Sequence, residues 1–507
     1  MNTFAQPHEL LPWAAARYAD RTAVEVDGAR RTYRELDAAA ARCAAGLHGL
    51  GVRPGDRVTV FLENRWEWLA AYHGVLRLGA VVNPVNSMLT AEEIAFIVGD
   101  AASAVVVTNP MAAAGLLARA GELPSLRRVV SVDDAPSGAV AFDDLMAATG
   151  EAPPTPAVRD DDPCSISYTS GTTGHPKGAV QPQRALRTQW GFIATLHARR
   201  PDDVSVTAVP LAHVYGNVIV HGMMSVGGRA IFNARFDPKG MLAQLEAERA
   251  TVFDGVPTMY ALMLAEPSIE HTELGALRLC VVGGQVMPAA TAEAWLRRAQ
   301  NSRWAEVWGM TELSGLVTTH PFDLPRAAGS VGISAPGIEV RVADLEDPEK
   351  PVPDGTEGEL QARGSVVMLE YLNRPDATAE TILPSGFLRT GDIGYRDAGG
   401  NFFMVDRLKD MLITGGFNVY PAEIERVLAK HPAVAMVGVA GKPDEVKGEL
   451  AYAYVVLHQG ASATAEELIA FCRQTLAAYK VPRAVVFVAD LPRTSTGKIL
   501  RRELRAM

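Results

Sequence analysis

Residues 168–178 read Tyr-Thr-Ser-Gly-Thr-Thr-Gly-His-Pro-Lys-Gly, a segment that combines three glycines, four aliphatic hydroxyls and a lysine. Glycines allow the backbone to turn so that successive N–H groups point at one place, and the hydroxyls add further donors. Such a loop is suited to wrapping an anion with several oxygens, and it predicts a site for a nucleotide polyphosphate. The candidate binding residues are Thr169, Ser170, Gly171, Thr172, Thr173, Gly174 and Lys177.

The spacing of this loop differs from that of a Walker loop. A Walker loop has the pattern G-x-x-x-x-G-K-[ST]. Here the pattern is Gly171-x-x-Gly174-x-x-Lys177-Gly178, with no Ser or Thr after the lysine. A polar surface loop is the alternative interpretation of the segment in isolation.

Four other short segments combine glycines with polar or charged side chains. They are Gly283-Gly284-Gln285, Glu306-Val307-Trp308-Gly309-Met310-Thr311-Glu312, Thr390-Gly391-Asp392 with the following Asp406-Arg407-Leu408-Lys409-Asp410, and Pro492 to Lys498. The first of these follows a buried-strand pattern at 277–282, and its bare backbone would let a flat ring lie against it.

The elements that must position these residues follow an α/β rhythm. Helical patterns such as 34–50 alternate with β-branched runs such as 58–62 in the first 150 residues, which predicts parallel strands covered by helices. The rhythm resumes from 204 to about 320, where strand patterns end in Gly or Pro turns. Ligands in such sheets bind beyond the carboxyl ends of the strands, where these turns lie.

The pattern changes twice in the second half of the chain. After about residue 323, short alternating runs such as 338–342 and 358–363 predict an antiparallel, barrel-like β subdomain. A final unit has a helical pattern at 421–428 and strand patterns at 434–439 and 451–457. We therefore predict an N-terminal domain over 1–407, with α/β subdomains to about 322 and a β-barrel-like subdomain over 323–407, and a C-terminal lid domain over 408–507.

Composition predicts a soluble protein of more than one domain. The chain has 507 residues, 48% of them hydrophobic and 21% charged. Apolar stretches such as 279–290 are broken by glycine and proline and are shorter than the roughly 20 residues of a membrane span. The net charge of −10 argues against nucleic acid as the main partner.

Cysteine use and the N-terminus predict a cytoplasmic location. The four cysteines are far apart and form no C-x-x-C pair, which argues against a disulfide framework and a zinc site. Each is interpreted as a small buried hydrophobe. The first residues show no basic patch followed by an apolar run, so no secretory signal is expected.

These motifs, in this order and at these distances, resemble the AMP-forming acyl-CoA synthetases of the adenylate-forming superfamily, and most closely the fatty-acyl-CoA and coumarate-CoA ligases. The resemblance covers essentially the whole chain, from Thr32-Tyr33-Arg34-Glu35-Leu36 to Pro492–Lys498. It implies an α/β fold, with a large N-terminal domain of α/β subdomains plus the β-barrel-like subdomain and a small mobile α+β C-terminal domain. It also implies a reaction of carboxylate, ATP and CoA that gives acyl-CoA, AMP and pyrophosphate through an acyl-adenylate, with Mg²⁺ as the metal.

The resemblance assigns further nucleotide-binding roles. Residues 283–285 would contact adenine, and Thr311 would contact the phosphates. Glu312 would hold Mg²⁺, since a hard cation prefers carboxylate and phosphate oxygens. Asp392 and Arg407 would bind the ribose. Two positions depart from the usual pattern, because Trp308 stands where relatives carry tyrosine and Gln285 stands where most carry a small residue. The implied set is Gly283, Gly284, Gln285, Trp308, Gly309, Met310, Thr311, Asp392 and Arg407.

The same resemblance assigns the catalytic and mobile parts. Lys498 would bridge the substrate carboxylate and the α-phosphate, together with Thr172, Glu312 and His213 as further catalytic residues. Lys409 would be the hinge of the C-terminal domain. Gly415 and Gly416 would line the tunnel for the pantetheine chain of CoA.

The acyl pocket implied by the resemblance consists of His213, Val214, Tyr215, Val256, Met259, Gln285 and Ser314. No arginine is assigned to a second carboxylate, which predicts an apolar monocarboxylic acid, either a medium- or long-chain fatty acid or an aryl or arylalkenyl acid. A satisfied core histidine is the alternative for His213.

Two alternatives of other classes stay open at this point. One is a stand-alone adenylation protein that loads an acyl group onto a carrier protein, and the other is a catalytically silent binding protein. Retention of the five residues Thr172, Glu312, Asp392, Arg407 and Lys498 argues against loss of catalysis. The sequence leaves the oligomeric state open, with a homodimer among the alternatives.

Overall fold

A computed structural model describes residues 4–147, 150, 153–169, 176–414, 417–444, 446–493 and 499–507. Several predicted site residues lie outside these ranges: Ser170, Gly171, Thr172, Thr173, Gly174, Gly415, Gly416 and Lys498.

The strands, numbered in chain order, are β1 (Thr22–Val26), β2 (Ala29–Thr32), β3 (Arg57–Phe61), β4 (Val81–Pro84), β5 (Val105–Thr108), β6 (Arg128–Ser131), β7 (Val140–Ala141), β8 (Pro163–Thr169), β9 (Lys177–Pro182), β10 (Val204–Thr207), β11 (Arg229–Phe232), β12 (Val252–Gly255), β13 (Leu279–Val282), β14 (Arg303–Met310), β15 (Gly315–Thr319), β16 (Ile333–Ser334), β17 (Ile338–Ala343), β18 (Gly358–Gly364), β19 (Glu370–Tyr371), β20 (Leu388–Arg396), β21 (Phe402–Arg407), β22 (Leu412–Thr414), β23 (Phe417–Val419), β24 (Val434–Asp444), β25 (Gly448–Leu457) and β26 (Ala484–Phe487).

The α-helices are α1 (Leu10–Tyr18), α2 (Tyr33–Gly49), α3 (Trp66–Arg77), α4 (Ala91–Asp100), α5 (Pro110–Ala118), α6 (Phe142–Met146), α7 (Gln183–Leu196), α8 (Val214–Met224), α9 (Pro238–Ala247), α10 (Pro257–Ala265), α11 (Ala289–Arg298), α12 (Pro375–Thr381), α13 (Pro421–Leu428), α14 (Ala465–Arg473) and α15 (Arg501–Ala506).

Two large, mainly parallel sheets form most of the N-terminal part. The first has the order β16-β15-β14-β13-β12-β10-β11-β1-β2, with parallel pairing from β14 through β1. The second has the order β19-β9-β8-β4-β3-β5-β6-β7. In that second sheet, β8 and β9 form an antiparallel hairpin, and β19 joins β9 from far along the chain.

Local sequence explains the alternation of strands and helices. The strand β5 is Val-Val-Val-Thr and is buried at every position, as expected of a parallel strand covered on both faces. The helix α2 begins at a capping box in which Thr32 accepts the backbone N–H of Glu35 and the Glu35 carboxylate accepts that of Thr32. The predicted α/β rhythm is confirmed in both sheets.

The third sheet is antiparallel. Its four strands have the order β17-β18-β20-β21, and the pairing of β20 with β21 sets Asp392 opposite Arg407. The predicted antiparallel pairing is therefore confirmed. Among the described residues the sheet is open, with β17 and β21 as its two edge strands.

The C-terminal part has its own sheet and its own core. Its strands have the order β23-β22-β25-β24, with β26 parallel to β25. Side chains such as Leu412, Ile424, Val439 and Leu468 are buried together there, apart from the main core. The fold is mixed α/β, with a large N-terminal domain and a small C-terminal domain.

All four cysteines are buried and unpaired, which confirms their interpretation as small hydrophobes. Within the described ranges, every helix is too short or too polar to cross a bilayer.

Candidate active site

The turns that carry the predicted binding residues meet at one edge of the first sheet. His213 lies in the connection that follows β10, Val256 directly follows β12, and the Gly283-Gly284 pair directly follows β13. These three strands are parallel, so their carboxyl ends lie at the same edge. This edge is where open α/β sheets bind ligands.

The double glycine lies in a crowded place. A Cβ atom on Gly283 would be 2.6 Å from Val307 Cγ2 and 3.3 Å from the Tyr215 ring. Gly284 has φ +87°, and a Cβ there would be 3.4 Å from Val256. The turn therefore requires glycines, and the side chains of Tyr215 and Val256 lie close to its bare backbone.

The second nucleotide motif begins in β14 and ends in a short 3-10 turn, Thr311–Leu313. Gly309 has no room for a side chain, because a Cβ would lie 1.9 Å from the Gly315 carbonyl oxygen on β15. Gln181 on β9 donates to the Thr311 carbonyl at 3.0 Å. It so ties this turn to the β8–β9 hairpin, which we call the phosphate-loop hairpin because its connection is the predicted phosphate-binding loop.

Glu312 lies where the two sheets meet, and 6% of its surface is exposed. Its Oε1 accepts the Tyr371 hydroxyl at 2.7 Å and lies 3.5 Å from the Thr169 hydroxyl. Lys177, at the start of β9, has its ammonium 5.2 Å from the centre of the Tyr371 ring. The base of the phosphate loop and the predicted metal ligand are thus brought together by a tyrosine that the sequence prediction missed.

Glu312 is suited to a metal that also binds phosphate. Among the described residues it forms no ion pair, and no group of three potential ligands of the His, Cys, Asp and Glu types is found in the described part of the chain. A carboxylate is a ligand that Mg²⁺ prefers, usually together with phosphate oxygens and water.

Trp308, Asp392 and Arg407 form a connected group. The Trp308 indole N–H donates to Asp392 Oδ2 at 2.8 Å, and Arg407 Nε lies 3.1 Å from Asp392 Oδ1. Asp392 is 3% exposed, and a buried charge is costly unless it is paired. The contacts with Trp308 and Arg407 compensate the Asp392 charge. The Asp392 carboxylate in turn raises the pKa of Arg407 above its usual value.

The predicted acyl-pocket residues surround the same edge. His213 caps the N-terminus of α8, where its Nδ1 accepts the Tyr215 backbone N–H at 3.2 Å, so a neutral ring carries its proton on Nε2. Val214 and Ser314 line a small cavity of about 10 Å³, room for about one water. Met259 is buried in the first turn of α10, and Gln285 is half-buried after the double glycine.

The predicted hinge, Lys409, lies in the short turn Leu408–Asp410 between β21 and β22. Asp406 precedes this turn and contacts two residues beyond it, because its Oδ2 accepts the Ala422 N–H at 2.7 Å and its Oδ1 lies 3.5 Å from Arg501. Burial raises the pKa of Asp406 to about 6, although Arg501 opposes this shift.

Arg501 is a second residue that the sequence prediction missed. Its guanidinium lies 2.9 Å from Asp410 and 2.7 Å from Glu425, in addition to Asp406. It therefore fastens α15 to the turn Leu408–Asp410 and to α13.

Comparison with known proteins agrees with this geometry. Residues 11–372 match the AMP-binding enzyme family, and residues 423–498 match the AMP-binding enzyme C-terminal domain. The chain is 37% identical over 489 residues to a feruloyl-CoA synthase of an Amycolatopsis species, with 96% of this chain and 95% of the relative covered. It is 36% identical over 533 residues to a long-chain-fatty-acid–CoA ligase of Yersinia pestis, with 98% and 93% covered.

The fold is also similar to that of a solved structure. The crystal structure of ATP-bound MatB from Rhodopseudomonas palustris superposes with a TM-score of 0.90 at 34% identity and covers 98% of each chain.

The chain belongs to the AMP-binding enzyme family. It is an AMP-forming acyl-CoA synthetase, an acid–thiol ligase that uses ATP and CoA as substrates.

Proposed function

We propose that this ligase activates an apolar monocarboxylic acid, either a medium- or long-chain fatty acid or an aryl or arylalkenyl acid. Two of its relatives bear the names feruloyl-CoA synthase and long-chain-fatty-acid–CoA ligase. The predicted pocket supports the same class, since Val214, Val256 and Met259 are buried apolar side chains and no predicted pocket residue is an arginine that could bind a second carboxylate.

The observation that carries the ATP-dependent part of the proposal is that two groups of side chains lie at the end of β14. Thr169, Lys177 and Glu312 form the first group, suited to polyphosphate and metal. The second is the Trp308–Asp392–Arg407 group, suited to a ribose because a carboxylate accepts from its hydroxyls. Trp308 on β14 and Glu312 in its following turn make the two groups neighbours, as a ligand with a nucleoside at one end and phosphates at the other would require.

In the first half-reaction, we propose that a carboxylate oxygen of the acid attacks the α-phosphorus of ATP in line. The bond from the α-phosphorus to its bridging oxygen breaks, pyrophosphate leaves, and an acyl-adenylate forms. Lys498 would stabilise the charge that converges on the carboxylate and the α-phosphate, and Thr172 with the rest of the phosphate loop would hold the departing pyrophosphate.

Mg²⁺, held by Glu312, would neutralise charge on the phosphate oxygens. Asp392 and Arg407 would orient the ribose, and Gly283 with Gly284 would leave space for the adenine ring. His213 would lie at the carboxylate end of the acyl pocket.

In the second half-reaction, the CoA thiolate attacks the acyl carbonyl carbon and AMP leaves with its oxygen. Lys498 must move away to admit CoA, so we propose that the C-terminal domain turns about Lys409 and that Gly415 and Gly416 then line the pantetheine path. Such a rotation would have to change the contacts of Asp406 with Ala422 and Arg501, because they cross this turn.

We infer a cytoplasmic location from the four buried, unpaired cysteines. A homodimer stays a prediction.

The test is acid-dependent release of pyrophosphate across a panel of acids. We expect release with fatty or arylalkenyl monocarboxylic acids, followed by thioester formation with CoA. Preference for a dicarboxylic acid would contradict the proposed acid class. Thioester formation only with a carrier protein would contradict the CoA acceptor, and no release with any acid would indicate a silent binding protein.

A further inference from the structure

A short segment from beyond the two nucleotide motifs fastens them to each other. We call residues 368–374 the strap. The Met368 N–H donates to the Glu312 carbonyl at 2.9 Å, and the Leu369 and Leu372 N–H groups donate to the carbonyls of Val180 and Gly178, both at 2.8 Å. The strap thus bonds to the Glu312 turn and to β9, the strand that leaves the phosphate loop.

Tyr371 is the strap residue that points into the site. It is 7% exposed, its hydroxyl donates to Glu312 Oε1 at 2.7 Å, and its ring lies beneath the Lys177 ammonium, 5.2 Å away. The phenol is the donor and the carboxylate the acceptor. The contact is a charge-assisted hydrogen bond, the stronger kind.

The bond constrains how Glu312 can turn. Oε1 is engaged by Tyr371 and the Thr169 hydroxyl, whereas Oε2 has no hydrogen bond or ion pair with any part of the chain that the structure describes. With Oε1 held, rotation about the last side-chain bond is restricted, and lone pairs of the carboxylate are left for a cation. The ring also attracts Lys177 by a cation–π contact.

The far end of the strap is anchored as well. Arg374 pairs with Asp100 Oδ1 at 3.0 Å, and the Tyr168 hydroxyl donates to Asp100 Oδ2 at 2.7 Å. Tyr168 precedes Thr169 at the base of the phosphate loop. The strap is thereby fixed at both ends to the phosphate-loop hairpin, which makes Tyr371 a rigid support.

We propose that Tyr371 is a positioning residue that presents the Glu312 carboxylate to the metal of the metal–ATP complex and holds Lys177 near the phosphates. This inference rests on the proposed roles of Glu312 and Lys177. It adds to the site a residue of the strap, which lies outside the sequence motifs that predicted the site.

The experiment compares Tyr371→Phe, which removes only the hydroxyl, with the wild-type enzyme. We expect the Mg²⁺ concentration that gives half-maximal pyrophosphate release to rise about five- to tenfold, because a hydrogen bond to a charged group is lost. Thioester formation from supplied acyl-AMP and CoA should stay within about twofold, because it needs neither pyrophosphate departure nor Glu312. Tyr371→Leu also removes the ring and should raise KM for ATP further.

A binding readout separates this role from activity. The rise in unfolding temperature caused by ATP with Mg²⁺, minus that caused by ATP alone, should shrink in Tyr371→Phe. Tyr33→Phe is the matched control, because Tyr33 is a buried tyrosine whose hydroxyl donates to the Gly228 carbonyl at 2.6 Å, away from the site. It should leave both Mg²⁺ readouts unchanged.

An unchanged Mg²⁺ dependence and an unchanged thermal shift in folded Tyr371→Phe would overturn the inference while leaving the proposed function intact. If that variant does not fold, Thr169→Val removes the other hydroxyl near Oε1 and should raise the Mg²⁺ requirement in the same direction; no rise would overturn the inference. Failure of the wild-type enzyme to release pyrophosphate with any acid would instead refute the proposed function. The thermal shift would still test the role of Tyr371 in binding the metal–ATP complex.

Discussion

The indole N–H of Trp308 lies 2.8 Å from Oδ2 of Asp392, and this bond joins residues 84 positions apart. It connects the last strand of the parallel series, β14, to the antiparallel sheet. Trp308 is a donor-only side chain that bonds one oxygen of Asp392, and Arg407 lies 3.1 Å from the other oxygen.

We expect Trp308→Phe to weaken nucleotide binding. Loss of a hydrogen bond to a charged group costs about 1.5 kcal/mol, which corresponds to roughly a tenfold rise in KM for ATP. The matched control is Trp295→Phe, because Trp295 is a buried tryptophan whose N–H contacts Cys280 Sγ at 3.2 Å. Steady-state kinetics measure KM for ATP in both variants. Equal KM values would show that the Trp308–Asp392 bond does not position the ribose site.

Gly309→Ala should damage the fold locally. The new Cβ would lie 1.9 Å from the Gly315 oxygen and 2.6 Å from Leu316 Cα, both backbone atoms that cannot rotate away. We expect a loss of about 3 kcal/mol or more in the free energy of unfolding. Denaturant unfolding measures this loss. Gly275→Ala, at an exposed glycine with nothing within 4 Å of its Cβ, should change little, and similar losses in the two variants would contradict the steric explanation.

Glu306 should make stability depend on pH. Burial raises its pKa from 4.5 to about 7, so between these values the folded protein holds a proton that the unfolded chain has released. Stability therefore falls as pH rises from about 4.5 to about 7, by at most about 3 kcal/mol from this group.

Glu306→Gln should remove that dependence. We expect the unfolding temperature of the variant, relative to wild type, to rise from pH 5 to about pH 7 and then to level off. Glu92→Gln, at an exposed position of α4, serves as control and should give a flat difference. A difference for Glu306→Gln that is independent of pH would show that the buried carboxyl titrates in its ordinary range.

Much of the fold could be predicted because its signals are local. The buried run at 105–108, the capping box at Thr32 and Glu35, and the glycine turn after 277–282 each depend on a few adjacent residues. Strand ends moved by one to five residues, as at β24, which runs on to Asp444, because pairing with β25 continues beyond the apolar pattern. The residue roles and domain limits stay predictions.

Tyr371 and Arg501 could not be predicted in this way. Tyr371 reaches Glu312 only because β19 pairs with β9, nearly two hundred residues earlier in the chain. Arg501 lies in a basic tail whose sequence resembles a solvated surface, yet the fold sets it among Asp406, Asp410 and Glu425. Such contacts join segments that are far apart in the chain, and the periodicity and spacing of residues do not predict them.

The most direct test of the two-step account is Lys498→Ala, assayed separately in the two half-reactions. If Lys498 stabilises the charge of adenylation alone, acid-dependent pyrophosphate release should fall by at least roughly 100-fold, the loss typical of removing a preorganised charge-stabilising donor. Supplied acyl-AMP and CoA should still give thioester at close to the wild-type rate. Comparable loss of both half-reactions, or pyrophosphate release that persists at the wild-type rate, would contradict the account.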